Sequence, residues 1–177
     1  FQDEGLVEME AFSFESVFRP LLAEQEAYLR LYPPGEAVLL ALRDLLERDS
    51  RLLYIDANER SITFRFAMHL QSHLREWEID CEFNRDGVEP KRLGHMELYP
   101  DSEDEEAKTV FPDVIAHRRG KKENFLVVEF KKSTSHVDRS IDRRKLLGYK
   151  RQLGYEHALF VEVGSGGQAS ITSLEWI

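Results

Sequence analysis

The fold of this 177-residue chain is decided by residues 111–132, which read FPDVIAHRRGKKENFLVVEFKK. Two segments of this stretch, residues 113–119 and 125–131, have the length and residue types of β-strands. The five residues between them, GKKEN, begin with glycine and are polar, as in the short connections of antiparallel hairpins. The stretch therefore predicts a hairpin, with Asp113 opening its first strand and Glu129 near the end of its second.

On the C-terminal side of the hairpin, the chain is predicted to continue as a helix and two strands. Residues 138–153 carry apolar side chains at helical spacing, residues 158–163 form an apolar strand, and residues 169–177 form the last strand. A glycine-rich turn at residues 164–167 separates the two strands. Because a helix links the second hairpin strand to the strand at 158–163, these two strands should be parallel.

On the N-terminal side, apolar positions recur at helical spacing in three segments, which predict helices at residues 14–31, 36–48 and 59–74. Asn58 is the expected N-cap of the third helix. Residues 78–85 alternate between apolar and polar side chains and predict a strand, whereas the polar residues 86–109 predict a long surface loop with an acidic tip. The expected fold class is α/β (α+β), with a mixed central β-sheet flanked by helices.

The length and composition favour one folded domain with extensions at its start. Residues 1–13 are expected to form a flexible tail, residues 14–50 an N-terminal helical extension, and residues 51–177 the core. No apolar run approaches the roughly 20 residues that a membrane helix needs, so no membrane partner is expected. Cys81 is the only cysteine, which excludes an internal disulfide and a cysteine-based zinc site and fits a cytoplasmic location.

The net charge of −9 is unevenly distributed along the chain. Residues 118–151 hold twelve Lys or Arg and four Asp or Glu, a local charge of +8, and the remaining residues carry −17. A basic region inside an acidic protein is an expected footprint for phosphate groups. A solvated hairpin and helix rich in Lys and Arg is the alternative, and charge alone does not separate the two.

Two charged residues at the end of the second hairpin strand indicate chemistry. Glu129 and Lys131 are two residues apart and so project from the same face, and antiparallel pairing brings Asp113 alongside. Two converging carboxylates repel each other unless a cation lies between them, and hard oxygen ligands suit Mg²⁺. A bound metal ion with a neighbouring lysine meets the needs of phosphodiester hydrolysis.

Pro112-Asp113, fifteen intervening residues and Glu129-Phe130-Lys131 resemble the signature of the PD-(D/E)XK nucleases. The resemblance covers roughly the last two-thirds of the chain and implies a restriction-endonuclease-like core, read over residues 59–163. It implies that Asp113, Glu129 and the backbone carbonyl of Phe130 bind Mg²⁺, with Mn²⁺ as a substitute. It also implies that Lys131 is catalytic.

The same resemblance suggests a fourth acidic residue on the first core helix, for which Glu59 is the best candidate. Glu59 shares a helical stripe with Ile62, Phe66 and Leu70, so it lies toward the core-facing side. It also lies in the first turn, where the helix dipole favours any carboxylate. Glu59 is therefore predicted as a catalytic and metal-binding residue, with a simple helix-terminal charge as the alternative.

Further polar residues are candidates for nucleic-acid contacts: Glu82, Asn84, Arg85, Lys132, Arg144, Lys145, Tyr149 and Gln152. For Glu82 and Asn84, the alternative is a place on the solvent-exposed face of a strand. For Tyr149, the alternative is a position in the core. Among the histidines, His69 and His73 read as a surface pair on a helix rather than a zinc site. His117 shares its strand face with Asp113, although a role in the site is not favoured.

These features predict a Mg²⁺-dependent nuclease that hydrolyses DNA phosphodiester bonds. The resemblance implies work in defence or repair, and homodimers are common in the family, although nothing in the sequence identifies an interface. RNA is the alternative substrate, although no RNA-binding module is recognisable. The alternative outside catalysis is a silent nuclease fold that binds nucleic acid or another protein.

Overall fold

A computed structural model describes residues 18–83 and 111–177, together with the backbone of four two-residue strands that lie between these ranges. Four predicted features lie outside the described residues: the tail at 1–13, Asn84, the acidic run at 101–106 and the side chain of Arg85. None of the described helices combines the length and apolar character needed to cross a membrane.

Within the described ranges the chain forms four α-helices: α1 Ala23–Leu29, α2 Gly35–Tyr54, α3 Glu59–His73 and α4 Arg139–Leu153. Helices α3 and α4 confirm the predictions for their segments. The side chain of Asn58 accepts a hydrogen bond from the Ser61 backbone N–H at 2.9 Å, which confirms it as the N-cap of α3.

The first two helices differ from the prediction at their ends. The described part of the first predicted helix begins only at Ala23, because Pro20 precedes the helix and Leu22 is extended. Helix α2 continues six residues beyond the predicted end, since Ser50 and Leu53 carry its buried stripe onward. The predicted boundary of the N-terminal extension at residue 50 therefore falls inside α2.

The strands in chain order are β1 Glu78–Cys81, β2 Arg85–Asp86, β3 Glu89–Pro90, β4 Arg92–Leu93, β5 Lys108–Thr109, β6 Val114–Arg118, β7 Glu123–Lys132, β8 His157–Gly164 and β9 Ser170–Trp176. Five of them form one mixed sheet in the order β1-β6-β7-β8-β9. Strands β6 and β7 pair antiparallel as a hairpin, and β7 and β8 pair parallel across α4. The predicted hairpin and crossover are both confirmed.

The segment between β1 and β6 was predicted incorrectly in two places. Strand β1 ends at Cys81 instead of Arg85, because Glu82 has a φ of 49°, in the left-handed region that interrupts an extended strand. The segment predicted as a long surface loop contains, in the part that the structure describes, two short antiparallel pairs, β2 with β3 and β4 with β5.

The sheet has a helical layer on each face, which confirms the predicted mixed sheet flanked by helices. Along β7, Val128 and Phe130 pack into the larger core with α2 and α3, and the Phe130 ring lies 4.9 Å from that of Phe66. The alternate residue Val127 packs with Leu146 of α4 in a second cluster. Because side chains alternate along a strand, Val127, Glu129 and Lys131 of β7 face α4.

Candidate active site

The site is organised around two carboxylates at the end of the β6–β7 hairpin. Asp113, immediately before β6, accepts a hydrogen bond at its Oδ2 from the backbone N–H of Phe130 at 2.8 Å. Glu129, the residue before Phe130, is buried with 1% of its surface exposed. The structure therefore brings together Asp113 and Glu129, as antiparallel pairing of the two strands predicted.

Both carboxyl groups are harder to ionise than ordinary side chains. Burial and the adjacent charge of Glu129 raise the pKa of Asp113 well above its usual value. Burial also raises the pKa of Glu129, although the charge of Lys145 opposes the shift. Two buried carboxylates in contact favour a proton or a cation between them, so this pair is suited to hold a metal ion.

Two lysines neutralise this end of the sheet through crossed ion pairs with α4. Lys131 on β7 lies 3.3 Å from Oδ2 of Asp142 on α4, measured from its Nζ. Lys145 on α4 lies 3.3 Å from Oε2 of Glu129 on β7, also from its Nζ. Burial alone would lower the pKa of Lys145, but the charges of Glu129 and Asp113 outweigh it and raise that pKa.

Three buried oxygen atoms in this cluster have no hydrogen-bond partner in the described part of the chain: Glu129 Oε1, Asp142 Oδ2 and Tyr149 Oη. The contact of Asp142 with Lys131 is an ion pair without hydrogen-bond geometry. Buried polar atoms in folded proteins are rarely left unsatisfied. These atoms lie together beside one carboxylate pair, so a cation or a hydrogen-bond donor that binds there would satisfy them.

The connection from β7 to α4 is fixed by one arginine. Arg139 donates hydrogen bonds to the backbone carbonyls of Lys132, Ser135 and Val137 and to the carboxylate of Glu162, at 2.7–3.0 Å. Asp138 caps the start of α4 by accepting from the Ser140 N–H at 2.9 Å. These contacts set the position of α4 relative to β7 and hence the position of its site residues.

Glu59 approaches the same end of the sheet from the opposite face. Its Oε2 accepts a hydrogen bond of 3.3 Å from the backbone N–H of Lys132, the residue after Lys131. The described contacts join Glu59 to this backbone group and not to the Asp113–Glu129 pair. Its predicted role as a metal ligand, like that of the Phe130 carbonyl, stays a prediction.

Most of the residues predicted to contact nucleic acid have intramolecular partners. Glu82 forms an ion pair with Arg60 at 3.1 Å, and it lies beyond the end of β1. Lys132 lies 3.2 Å from Asp56 and donates to the Ala57 carbonyl. Arg144 donates to the Ser140 hydroxyl.

Lys145 and Tyr149 belong to the site itself, while Gln152 lies exposed one turn beyond Tyr149 on α4. Burial and the charge of Glu129 raise the pKa of Tyr149 well above its usual value, so its hydroxyl stays protonated. Tyr149 is thus a core residue close to the Glu129 carboxylate, as in the alternative given for it, and its contact with nucleic acid stays a prediction.

The histidines do not form a zinc site in the described residues. The prediction of a surface pair was wrong for His69, which is buried and lies 2.6 Å from Asp49 of α2. His73 forms the same kind of contact with Asp44 at 2.7 Å, so the two histidines join α3 to α2. His117 is bound to Asp80 at 2.7 Å, toward the other end of β6 from Asp113.

Asp142 is the site residue that the sequence interpretation missed. It precedes Lys145 by three residues and Tyr149 by seven, so all three lie on one helical stripe. Asp142 is also the only acidic residue within α4, a helix that otherwise carries six basic residues. A single acid on the core-facing stripe of a basic helix was the available signal.

The donor set suits a magnesium ion held by few protein ligands. No group of three His, Cys, Asp or Glu side chains arranged for a metal ion occurs among residues that the structure describes. Mg²⁺, however, is commonly held by one or two carboxylates together with water and substrate phosphates. The Asp113–Glu129 pair, with the Glu129 Oε1 atom buried and unsatisfied, fits this mode.

A cavity among the described residues lies away from the carboxylate cluster. It has a volume of about 480 Å³ and lies between α3 and β1, lined by residues that include Phe64, Met68 and Ile79. Its lining is mainly apolar and holds neither of the paired carboxylates.

Compared with known proteins, the chain matches no family model, no curated protein and no solved structure. Its function is therefore inferred from the geometry and chemistry of the carboxylate cluster.

Proposed function

We propose that this protein is a metal-dependent nuclease that hydrolyses phosphodiester bonds of DNA. The observation that carries the proposal is the contact between Asp113 and Glu129, two buried carboxyl groups with raised pKa values. Two lysines lie in the same cluster, and one Glu129 oxygen has no hydrogen-bond partner there. A divalent cation would satisfy that oxygen and remove the repulsion between the carboxylates.

Asp113, Glu129 and the Phe130 carbonyl would hold the metal ion, with Glu59 near the end of β7 as a further candidate. When bound, the ion would polarise a phosphate oxygen and lower the pKa of a bound water. The proposal also draws support from the order of the elements α3, β1, β6, β7, α4 and β8. Apart from the short strands β2–β5 between β1 and β6, this order is compatible with the helix, three strands, helix and strand that the PD-(D/E)XK resemblance implies.

The two lysines would balance the negative charges at the site during hydrolysis. In hydrolysis a water oxygen bonds to phosphorus while the bond from phosphorus to the leaving oxygen breaks. The water loses a proton, and the leaving oxygen gains one. The Lys131 ammonium would stabilise the negative charge that develops on the non-bridging phosphate oxygens, and Lys145 would balance the charge of Glu129.

The direct test is cleavage of supercoiled, linear and single-stranded DNA, and of RNA, in Mg²⁺, Mn²⁺ or EDTA. We expect metal-dependent cleavage of DNA that Asp113→Asn and Lys131→Ala both abolish without loss of folding. Cleavage that persists in both variants would assign the activity to a contaminant or another site. Cleavage confined to RNA would replace the substrate and keep the site.

A nuclease fold without turnover is the second candidate, and one observation favours it. Both lysines are engaged in ion pairs with carboxylates, so neither presents a free ammonium to a phosphate. Under this candidate, DNA binding that weakens with salt would occur without cleavage in any metal. Unchanged binding in the Asp113→Asn variant would then separate the binding surface from the carboxylate pair.

A further inference from the structure

Asp142 is a buried acid that the proposed hydrolysis does not use. It has 4% of its surface exposed and lies on a helix whose other charged residues are all basic. Burial of a carboxylate is unfavourable unless a charged or hydrogen-bonding partner compensates for the lost water. The partner of Asp142 is the Lys131 ammonium at 3.3 Å, while the neighbouring Arg143 pairs with Glu175 instead.

The carboxylates of Asp113 and Glu129 are alternative partners for the Lys131 ammonium. Lys131 lies two residues from Glu129 on the same face of β7, and Glu129 together with Asp113 forms a carboxylate pair. A flexible lysine side chain on that face would be drawn toward these carboxylates and would occupy the position of a metal ion. In the structure, Lys131 pairs with Asp142 on α4, and Glu129 pairs with Lys145.

We propose that Asp142 is a positioning residue that holds the Lys131 ammonium away from Asp113 and Glu129 and so keeps these carboxylates available to a divalent cation. This inference rests on the proposed function, because it assumes that the carboxylate pair binds the metal. It assigns to α4 a role in metal affinity, in addition to its packing against β7 and β8. The effect of Asp142 on the metal is exerted through Lys131.

A double-mutant cycle on metal binding tests this role without relying on cleavage. The proteins are the wild type, Asp142→Asn, Lys131→Met and the double variant, and the measurement is Mn²⁺ affinity by titration calorimetry and electron paramagnetic resonance. We expect Asp142→Asn alone to weaken Mn²⁺ binding on the order of tenfold or more, because Lys131 turns to the carboxylates. In the Lys131→Met background, the same substitution should change the affinity by less than about threefold.

Glu175→Gln is the matched control for this cycle. Glu175 on β9 pairs with Arg143 of α4 at 2.6 Å, two strands away from β7. Its loss also breaks an ion pair to α4, but one that does not hold Lys131. We expect Mn²⁺ affinity in this variant to stay within about threefold of wild type. If Asp142→Asn does not fold, Asp142→Ser takes its place in the same cycle.

The outcomes separate this proposal from the proposed function. Equal effects of Asp142→Asn with and without Lys131, in a protein that binds Mn²⁺, would overturn the positioning role alone. A wild-type protein that binds no Mn²⁺ would overturn both the metal site and the role of Asp142. If Asp142→Asn weakens Mn²⁺ binding only when Lys131 is present, and the protein cleaves no nucleic acid, the positioning role is supported and the nuclease activity is excluded.

Discussion

The two ends of the β6–β7 hairpin carry similar charged residues in opposite surroundings. The site end consists of Asp113, Glu129, Lys131, Asp142 and Lys145. The turn end consists of Asp80, Arg118, Arg119, Lys121 and Glu123. At the turn end, Arg118 and Glu123 pair at 2.8 Å, with 44% and 50% of their side chains exposed. At the site end, Lys145 and Glu129 pair at 3.3 Å, with 24% and 2% exposed.

The Lys145–Glu129 ion pair is longer than the Arg118–Glu123 pair but has the larger effect on stability and on neighbouring pKa values. Water screens the charges of Arg118 and Glu123, and exposed pairs of this kind contribute little to folding. At the site end, neighbouring side chains replace water, so each charge depends on its protein partner and shifts the pKa values around it. Burial, and not distance, identifies the chemically significant charges of this hairpin.

The largest expected difference between the two ends is in catalysis. Glu129 and Glu123 lie on the same strand and accept the same substitution to glutamine. We expect Glu129→Gln to lower the rate of the proposed metal-dependent DNA cleavage by on the order of 10²-fold or more, because it removes a charged ligand of the proposed metal ion. Glu123→Gln should leave the rate within about twofold. Equal loss in both variants would contradict the contrast between the ends.

The next difference concerns folding stability. Lys145→Met leaves the buried Glu129 without its cationic partner and should lower the free energy of unfolding by about 3 kcal/mol. Arg118→Met at the turn end should lower it by less than about 1 kcal/mol. Urea denaturation at neutral pH with EDTA measures both values. A Lys145→Met protein as stable as wild type would show that Glu129 is already neutral there.

The pH dependence should have opposite signs at the two ends. Because the pKa of Asp113 is raised by folding, its favourable contribution is present near pH 4 and is lost as the pH rises through its folded value. Burial alone would raise the pKa of Asp80, but hydrogen bonds from Arg119 and His117 outweigh burial and lower it. The contribution of Asp80 is therefore present at neutral pH and is lost as the pH falls through its folded value.

Unfolding free energies of Asp113→Asn and Asp80→Asn at pH 5 and pH 8, without metal, measure this difference. Relative to wild type, Asp113→Asn should gain stability between pH 5 and pH 8. Asp80→Asn should be less stable than wild type at both pH values. If wild type and Asp113→Asn show the same change in unfolding free energy between pH 5 and pH 8, the raised pKa assigned to Asp113 is contradicted.

The smallest expected effect is stabilisation by metal. At a Mg²⁺ or Mn²⁺ concentration ten times the dissociation constant, binding should stabilise the wild type by about 1.4 kcal/mol. The Glu129→Gln variant should show no such gain, and Glu123→Gln should show all of it. Thermal denaturation with and without metal gives the comparison, and a gain of equal size in all three proteins would indicate binding elsewhere.

Local patterns predicted the elements that carry the site. Asn58 and the apolar stripe of α3, the two hairpin strands and the crossover through α4 were all readable from short-range spacing, and the structure has each of them. Strand parity also placed Glu129 and Lys131 on one face. These features depend on chain geometry over a few residues, which a sequence records directly.

Features that depend on distant partners were not predictable in this way. Asp142 was missed because a charged residue on a basic helix looks solvent-exposed until the strand that buries it is known. The burial of His69 depends in the same way on Asp49 of α2, a helix that was predicted to end before that residue. The early end of β1 arises from the left-handed backbone of Glu82, which local alternation does not reveal.

The four hydrogen bonds of Arg139 have a consequence for how the chain tolerates insertions and deletions. Connections between secondary-structure elements usually accept a change of length at little cost. Here the hydrogen bonds of Arg139 hold the six residues between β7 and α4 in place. Successive residues of a helix are related by a rotation of about 100° around the helix axis. If one residue were inserted and α4 rotated to accommodate it, Asp142 and Lys145 would both lose their contacts with Lys131 and Glu129 on β7. The length of this connection should therefore be constrained as tightly as the charged residues that it aligns.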